Sequence, residues 1–268
     1  MNYETSKSLT DSRFKRLVGV ERRTFKEMLK VLRVSYQRKH SKGGRKPKMS
    51  LEDILMATLQ YLREYRTYEQ IATDFGVHES NLIRRSHWVE EVLAQNGFTI
   101  DKAVIKDTDT VIIDATEVKI QRPQKSKTLS YSGKKKFHVG KAQLIVTVQG
   151  KILFVDIQLD YCHDMKLFRT SRRDLSRAGE ILADSGYQGI MKLYSQAKTP
   201  KKSSKLHPLT DEDKAYNKAL ASCRIKVENV FAKVKAFKIF STTYRNRKRR
   251  FGLRMNLIAG IINFETKL

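Results

Sequence analysis

Acidic side chains are scarce in this chain. Only 28 Asp and Glu stand against 54 Lys and Arg, a net charge of +26 over 268 residues, with a pI near 10.1. A balance this basic points to a polyanionic partner, most often nucleic acid; a ribosome-like or membrane-surface protein is the blander reading. Cysteine is nearly absent. Cys162 and Cys223 cannot build a disulfide framework or a four-thiolate zinc site, and are expected to be reduced packing residues. No apolar run approaches the ~20 residues of a membrane span, and the opening MNYETSKSLT has no apolar signal core. The expectation is a soluble cytoplasmic protein, associated with the nucleoid and not with a membrane.

The chain is long enough for one or two domains, and its 40% hydrophobic content is that of an ordinary folded protein. The excess charge is uneven: 19 basic against 12 acidic side chains in residues 1–100, and 35 against 16 in residues 101–268. The second part is thus as fit for a polyanion as the first.

The first hundred residues read as helical. Residues 9–32 suggest two helices broken at Gly19, with Phe25, Met28, Leu29 and Leu32 at helical spacing. The stretch RKHSKGGRKPKMS (38–50) holds two glycines, a proline and seven basic residues counting His40, and reads as a basic linker, laid along phosphates or merely solvated. Ser50 with Asp53 caps a helix carrying Leu51, Ile54, Leu55, Leu59 and Leu62. Thr67 with Gln70 matches a capping box for a short helix, Gly76 breaks it, and His78 or Glu79 opens a third. A short helix, a glycine turn and a longer helix make a helix-turn-helix; a non-binding αα turn fits the same pattern. Ser80, Asn81, Arg84 and Arg85 lie near the start of the last helix, where that motif faces the major groove.

After Gly97 the period changes. Residues 111–121, 137–150 and 151–160 are β-rich, the last two joined by a Gln149-Gly150-Lys151 turn. A helix follows over 163–175, a short strand over 180–184, a long helix over 211–237 and a final helix over 254–265. The order predicts an α/β protein with a mixed-sheet domain over 101–268 and an all-α helix-turn-helix domain over 1–100.

Carboxylates stand out in so basic a chain. Asp114 and Asp184 read as the ends of two strands, where open α/β sheets place ligands; if the strands are parallel neighbours, the two aspartates lie side by side. Glu228 sits at the edge of the apolar arc Val227, Val230, Phe231, Val234 and Phe237, one turn after Arg224. Clustered carboxylates repel unless a cation joins them, and two Mg²⁺ ions would both resolve that repulsion and suit phosphodiester chemistry. Each aspartate alone reads equally as a turn or cap residue, and Glu228 as a partner of Arg224.

The blocks IDATEVKIQRP, YSGKKKFH, HDMKLF, ADSGYQG, RIKVENVFAKVKAF and YRNR, in that order, resemble the DDE transposases of bacterial insertion sequences, specifically the IS-five group related to eukaryotic Harbinger nucleases. The segment GGRKPKMSLEDILMATLQYLREYRTYEQIATDFGVHES is similar to that group's helix-turn-helix. The resemblance implies an RNase H-like catalytic domain with Asp114, Asp184 and Glu228 as its catalytic and metal-binding acids. It also implies His163 and Asp164 beside them, two Mg²⁺ ions with Mn²⁺ as a substitute, cleavage at the element's ends and strand transfer into target DNA; Arg224, one turn before Glu228, is a further candidate for supporting the site. Two ends must be paired, which implies a homodimer or higher assembly on double-stranded DNA. Lys134, Lys135, Lys136, Arg245, Arg247, Arg249 and Arg250 become candidate phosphate contacts, or a solvated charged face. A non-catalytic helix-turn-helix regulator and a structure-selective nuclease are the competing functions.

Overall fold

A computed structural model of the chain describes residues 1–41, 43, 47–100, 105–123, 130–133, 135–204, 208–246 and 248–267, the last of these by its backbone only. Lys134 and Arg247 lie outside the described residues. The chain divides into two compact units. One comprises Met1–Thr99, Val234–Thr242 and Arg250–Leu268; the other comprises Ile100–Lys233 and Thr243–Arg249. A single cut near residue 100 therefore describes the chain only in part, because the last helix packs with the first hundred residues. The reason is on its surface. Met255, Leu257, Ile258, Ala259 and Ile261 are all buried, and Gly260 lets the Phe98 carbonyl approach so closely that a Cβ there would sit 2.4 Å from it.

The first unit is helical: α1 (Tyr3–Ser6), α2 (Asp11–Val18), α3 (Arg22–Lys39), α4 (Leu51–Glu64), α5 (Tyr68–Asp74) and α6 (Glu79–Gln95). Local sequence explains the boundaries. Gly19 takes a left-handed φ of 82° at the end of α2, Ser50 accepts from the Asp53 N–H, and Thr67 and Gln70 form the reciprocal capping box. Gly76, at φ 62°, turns the chain between α5 and α6. Leu55, Leu59, Leu62, Ile71, Leu82 and Val89 fill the space between α4, α5 and α6, and the Thr58 and Ser86 hydroxyls meet at 3.2 Å inside it. No described helix is long and apolar enough to cross a membrane.

The second unit is built on a mixed sheet of β1 (Thr110–Lys119), β2 (Tyr131–Ser132), β3 (Phe137–Thr147), β4 (Ile152–Gln158), β5 (Glu180–Ala183) and β6 (Ala197–Lys198). β3 pairs antiparallel with both β1 and β4, and β2 adds to its start. β5 joins the other side of β1 in parallel and β6 follows it. Helix α7 (Asp164–Ser171) lies between β4 and β5, and α8 (Asp211–Lys235) follows β6. Short α9 (Lys238–Ser241) and long α10 (Phe251–Lys267) end the chain. Alternation along β1 sorts its two faces. Val111 and Ile113 join Ile145, Phe168, Ile181 and Tyr187 in one buried cluster. Ile112 and Asp114 point the other way, and Asp114 meets Arg224 of α8. The sheet therefore continues past Asp114 to Lys119, and this aspartate is a mid-strand residue; the backbone hydrogen-bonding continues because β3 pairs with β1 through Lys119.

Candidate functional site

The sheet register assembles the site. Ile113 pairs with Ala183 in parallel, so the next residues, Asp114 and Asp184, emerge on adjacent strands. Asp184 closes β5 and accepts the Gly186 N–H at 2.8 Å, capping a single 3₁₀ turn over Ser185–Tyr187. That turn leaves no room at Gly186: a Cβ there would stand 2.3 Å from Asp164 Oδ2 and 3.0 Å from Asp184 Oδ1. Asp164 thereby lies against Asp184 at the start of α7, with His163 as its exposed N-cap.

Asp114 is largely buried. Burial pushes its carboxyl up to about 6; the Arg224 guanidinium and the Ala115 N–H oppose the rise, and the negative charges of Asp184 and Asp164 add to it. Arg224 reaches Asp114 Oδ2 at 3.6 Å from α8, and the Ala115 N–H donates to Oδ1 at 2.8 Å. Glu228 lies on the same face as Arg224, one turn along. It is exposed, and no described residue forms a hydrogen bond or ion pair with it. Among the described residues, no three His, Cys, Asp or Glu side chains come together as a ligand set for a metal ion. Asp184 and Asp164 lie close enough to act on Asp114 by charge: Gly186 ties the start of α7 to the end of β5, and α8 presents Arg224 to Asp114.

Two further features were not read from the sequence. Lys141 is buried in β3 and forms a 2.7 Å ion pair with Asp164, with Glu117 3.9 Å away. Gln143, on the same face, accepts from the Tyr187 hydroxyl at 3.1 Å and donates to Asp156, which Arg173 pairs at 2.7 Å. A lysine and a glutamine two apart inside the apolar run VGKAQLIV are the signal that could have revealed this polar seam. It orients the 3₁₀ turn through Tyr187, and so the loop that carries Asp184.

The helix-turn-helix presents α6. Ser80, Asn81 and Arg84 are exposed at its start; the N-cap is His78, whose Nδ1 accepts the Ser80 N–H at 3.2 Å and meets the Ser80 hydroxyl at 2.9 Å, and Arg84 donates to Asn81 at 2.6 Å. Arg85 is half-buried and borders a groove of about 380 Å³ with Pro47, Lys48 and His78. Among the other basic candidates, Lys135 is exposed and pairs with Glu117 at 2.8 Å. Lys136, Arg245 and Arg249 are exposed. Arg250 is engaged within the protein. Its guanidinium is held by Glu90 at 2.6 Å, Glu91 at 2.8 Å and the His87 carbonyl at 3.1 Å. Glu90 and Arg254 are themselves fully buried and paired at 2.8 Å, and Arg250 completes the neutralisation of that group.

With this geometry stand the sequence comparisons. Residues 113–263 match the model of the DDE superfamily endonuclease family, and residues 47–99 match the helix-turn-helix of DDE superfamily endonucleases. The chain is 41% identical over 275 residues to a probable transposase for insertion sequence element IS702 from Microchaete diplosiphon, covering 100% of this chain and 99% of that protein. The chain belongs to the DDE-superfamily transposases. It is a DNA transposase with a helix-turn-helix segment, and the basic surface of the transposase matches a nucleic-acid partner.

Proposed function

We propose that this transposase binds the inverted-repeat ends of its element with α6 and cleaves and joins DNA strands at Asp114 and Asp184. We infer further that the β1–β6 unit is an RNase H-like catalytic domain, that the protein works as a homodimer or larger assembly, and that it acts at the nucleoid. One observation carries the reading: the parallel Ile113–Ala183 register, which sets two carboxylates on neighbouring strands.

The donor set fits a hard divalent cation. It is all carboxylate oxygen, and Asp114 is held at about 6 by burial and adjacent negative charge, a strain that a cation relieves. Asp114 and Asp184 would hold Mg²⁺, or Mn²⁺ in its place, with Glu228 proposed as the third acid of a two-ion site. When bound, such ions supply activation of the attacking oxygen and neutralisation of charge on the leaving oxygen. The protein's own groups do the rest. Arg224 balances Asp114, Lys141 holds Asp164 away from free rotation, and His163 stands at the start of α7 beside them. Ser80, Asn81, Arg84 and Arg85 are proposed to read the major groove, and Lys135, Lys136, Arg245 and Arg249 to hold phosphates.

The test is strand cleavage of end-bearing duplex by Asp114→Asn, Asp184→Asn, Glu228→Gln and Asp164→Asn. The first three should lose at least ~10²-fold in rate, the scale of removing one transition-state charge contact, with duplex affinity retained. Asp164→Asn should lose less. Full activity in Glu228→Gln with a collapse in Asp164→Asn would reassign the third acid.

A further inference from the structure

A second basic groove lies on the sheet unit, at the end of β1 away from Asp114. Lys119, Arg122, Tyr131, Lys136, Phe137 and His138 line its walls around buried Ile120, and its volume is about 760 Å³, within the range of small-ligand sites. Three features make it more than a charged surface. No acidic side chain is among its described lining residues. Its aromatic groups are presented outward: Tyr131 is 45% exposed on the two-residue strand β2, set edge-on to the His138 ring at 5.5 Å. One cation is held by a ring and another is positioned by its backbone. Lys119 sits 5.1 Å over the Phe137 ring, and Lys136 occupies a left-handed φ of 57° that closes a tight turn through its N–H to the Ser132 carbonyl at 2.7 Å. His138 is oriented by a 3.0 Å hydrogen bond with Ser130.

Phosphate binding alone needs no aromatic wall and no apolar floor. A nucleobase needs both, together with cations spaced for the flanking phosphates, and stacking tolerates any base because each has a π-face. A paired base is covered above and below by its neighbours, so only an unpaired nucleotide has a face to offer Tyr131. We propose that this groove binds one unpaired nucleotide of the DNA strand, its base against Tyr131 and His138 and its phosphates on Lys119, Arg122 and Lys136. The proposal rests on the transposase reading and specifies where a frayed or cut end is held.

The experiment compares full-length protein binding, in EDTA, to one duplex with a blunt end and to the same duplex with a three-nucleotide single-stranded overhang. The overhang should bind about tenfold more tightly, the scale of one stacked base. Tyr131→Ala should remove that preference and leave blunt-duplex affinity unchanged, and Tyr131→Trp should keep it. In the unaltered protein, 2-aminopurine in the overhang should lose fluorescence on binding, and the same probe inside the duplex should not. Equal affinity for the two DNAs, or a Tyr131→Ala variant that keeps the preference, overturns the proposal. So does an unchanged overhang probe, which decides the matter even if Tyr131→Ala fails to fold. A groove for duplex phosphates only would show as equal weakening of both DNAs. Cleavage of the blunt duplex by unaltered protein with Mg²⁺ tests the transposase reading separately, so failure of one does not conceal failure of the other.

Discussion

The Arg224 guanidinium stands 3.6 Å from the Asp114 carboxylate, joining a residue of a long helix to one 110 positions earlier in the middle of a strand. A single arginine does not cancel the crowding there. Asp114 remains pushed up to about 6, with burial the largest cause and Asp184 and Asp164 adding to it. The buried carboxylate is therefore strained, and this has measurable consequences.

Asp114→Asn should stabilise the metal-free protein at pH 7.5. The folded-state carboxyl titrates at about 6 against an ordinary value of 3.8. The penalty is absent below pH ~4, develops between ~4 and ~6, and is constant above. The shift sets an upper limit of about 3 kcal/mol, and the Asn variant, which loses the ion pair with Arg224, should realise about 1–2. Urea unfolding in EDTA at pH 7.5 and at pH 4 measures it; equal stability of the two proteins at both pH values would remove the strain argument.

Gly186→Ala tests the geometry without touching a carboxylate. The new methyl group would lie 2.3 Å from Asp164 Oδ2 and 3.0 Å from Asp184 Oδ1, so one of the two must move. A displacement of about 1 Å in a catalytic array costs on the order of 10²-fold in rate. Cleavage should fall by that factor while duplex affinity holds. An alanine variant with ordinary cleavage would mean that the Asp164–Asp184 proximity is irrelevant to the chemistry.

The Glu90, Arg250 and Arg254 group predicts a stability effect unrelated to DNA. Glu90→Ala leaves the buried Arg254 uncompensated, which should cost about 3–5 kcal/mol. Arg250→Ala should cost less, since Arg254 still faces Glu90. Neither change should alter the slope of log affinity against log salt. A reduced slope in Arg250→Ala, with stability unchanged, would return that arginine to the DNA surface.

Arg84 and Arg249 should behave differently in binding. Arg84→Ala should lose about 1–3 kcal/mol of preference for element ends over random duplex if it reads a base edge. Arg249→Ala should weaken both DNAs alike and reduce the salt slope by about 0.9 if it holds one phosphate. Titrations at several salt concentrations on both DNAs separate the cases. An Arg84→Ala variant that loses both affinities equally would make it a phosphate contact.

Local features were legible in the residues. Ser50, Thr67 with Gln70, Gly19, Gly76 and Gly150 mark element ends through their own side chains or φ angles, so the helix-turn-helix and the β3–β4 hairpin could be read without tertiary information. The short pieces β2, β6 and α9 were not legible, because two to four residues carry no periodicity. The β-rich run 111–121 is legible as a whole, but Asp114 reads as a strand end because a carboxylate after a run of apolar residues looks like a boundary.

By itself, the sequence determined the charge, the two kinds of secondary-structure period, the capped helices and the acids available for chemistry, since each depends on residue type and near neighbours. Tertiary structure alone decided which of those acids meet. Parallel pairing of β1 with β5 brings Asp114 to Asp184, the close approach at Gly186 adds Asp164, and the rotation of α8 turns Arg224 to the site and leaves Glu228 exposed. It also decided that Arg250 and the last helix serve the first unit's core, because ion pairing and burial join residues 160 positions apart, and no local pattern records such a distance.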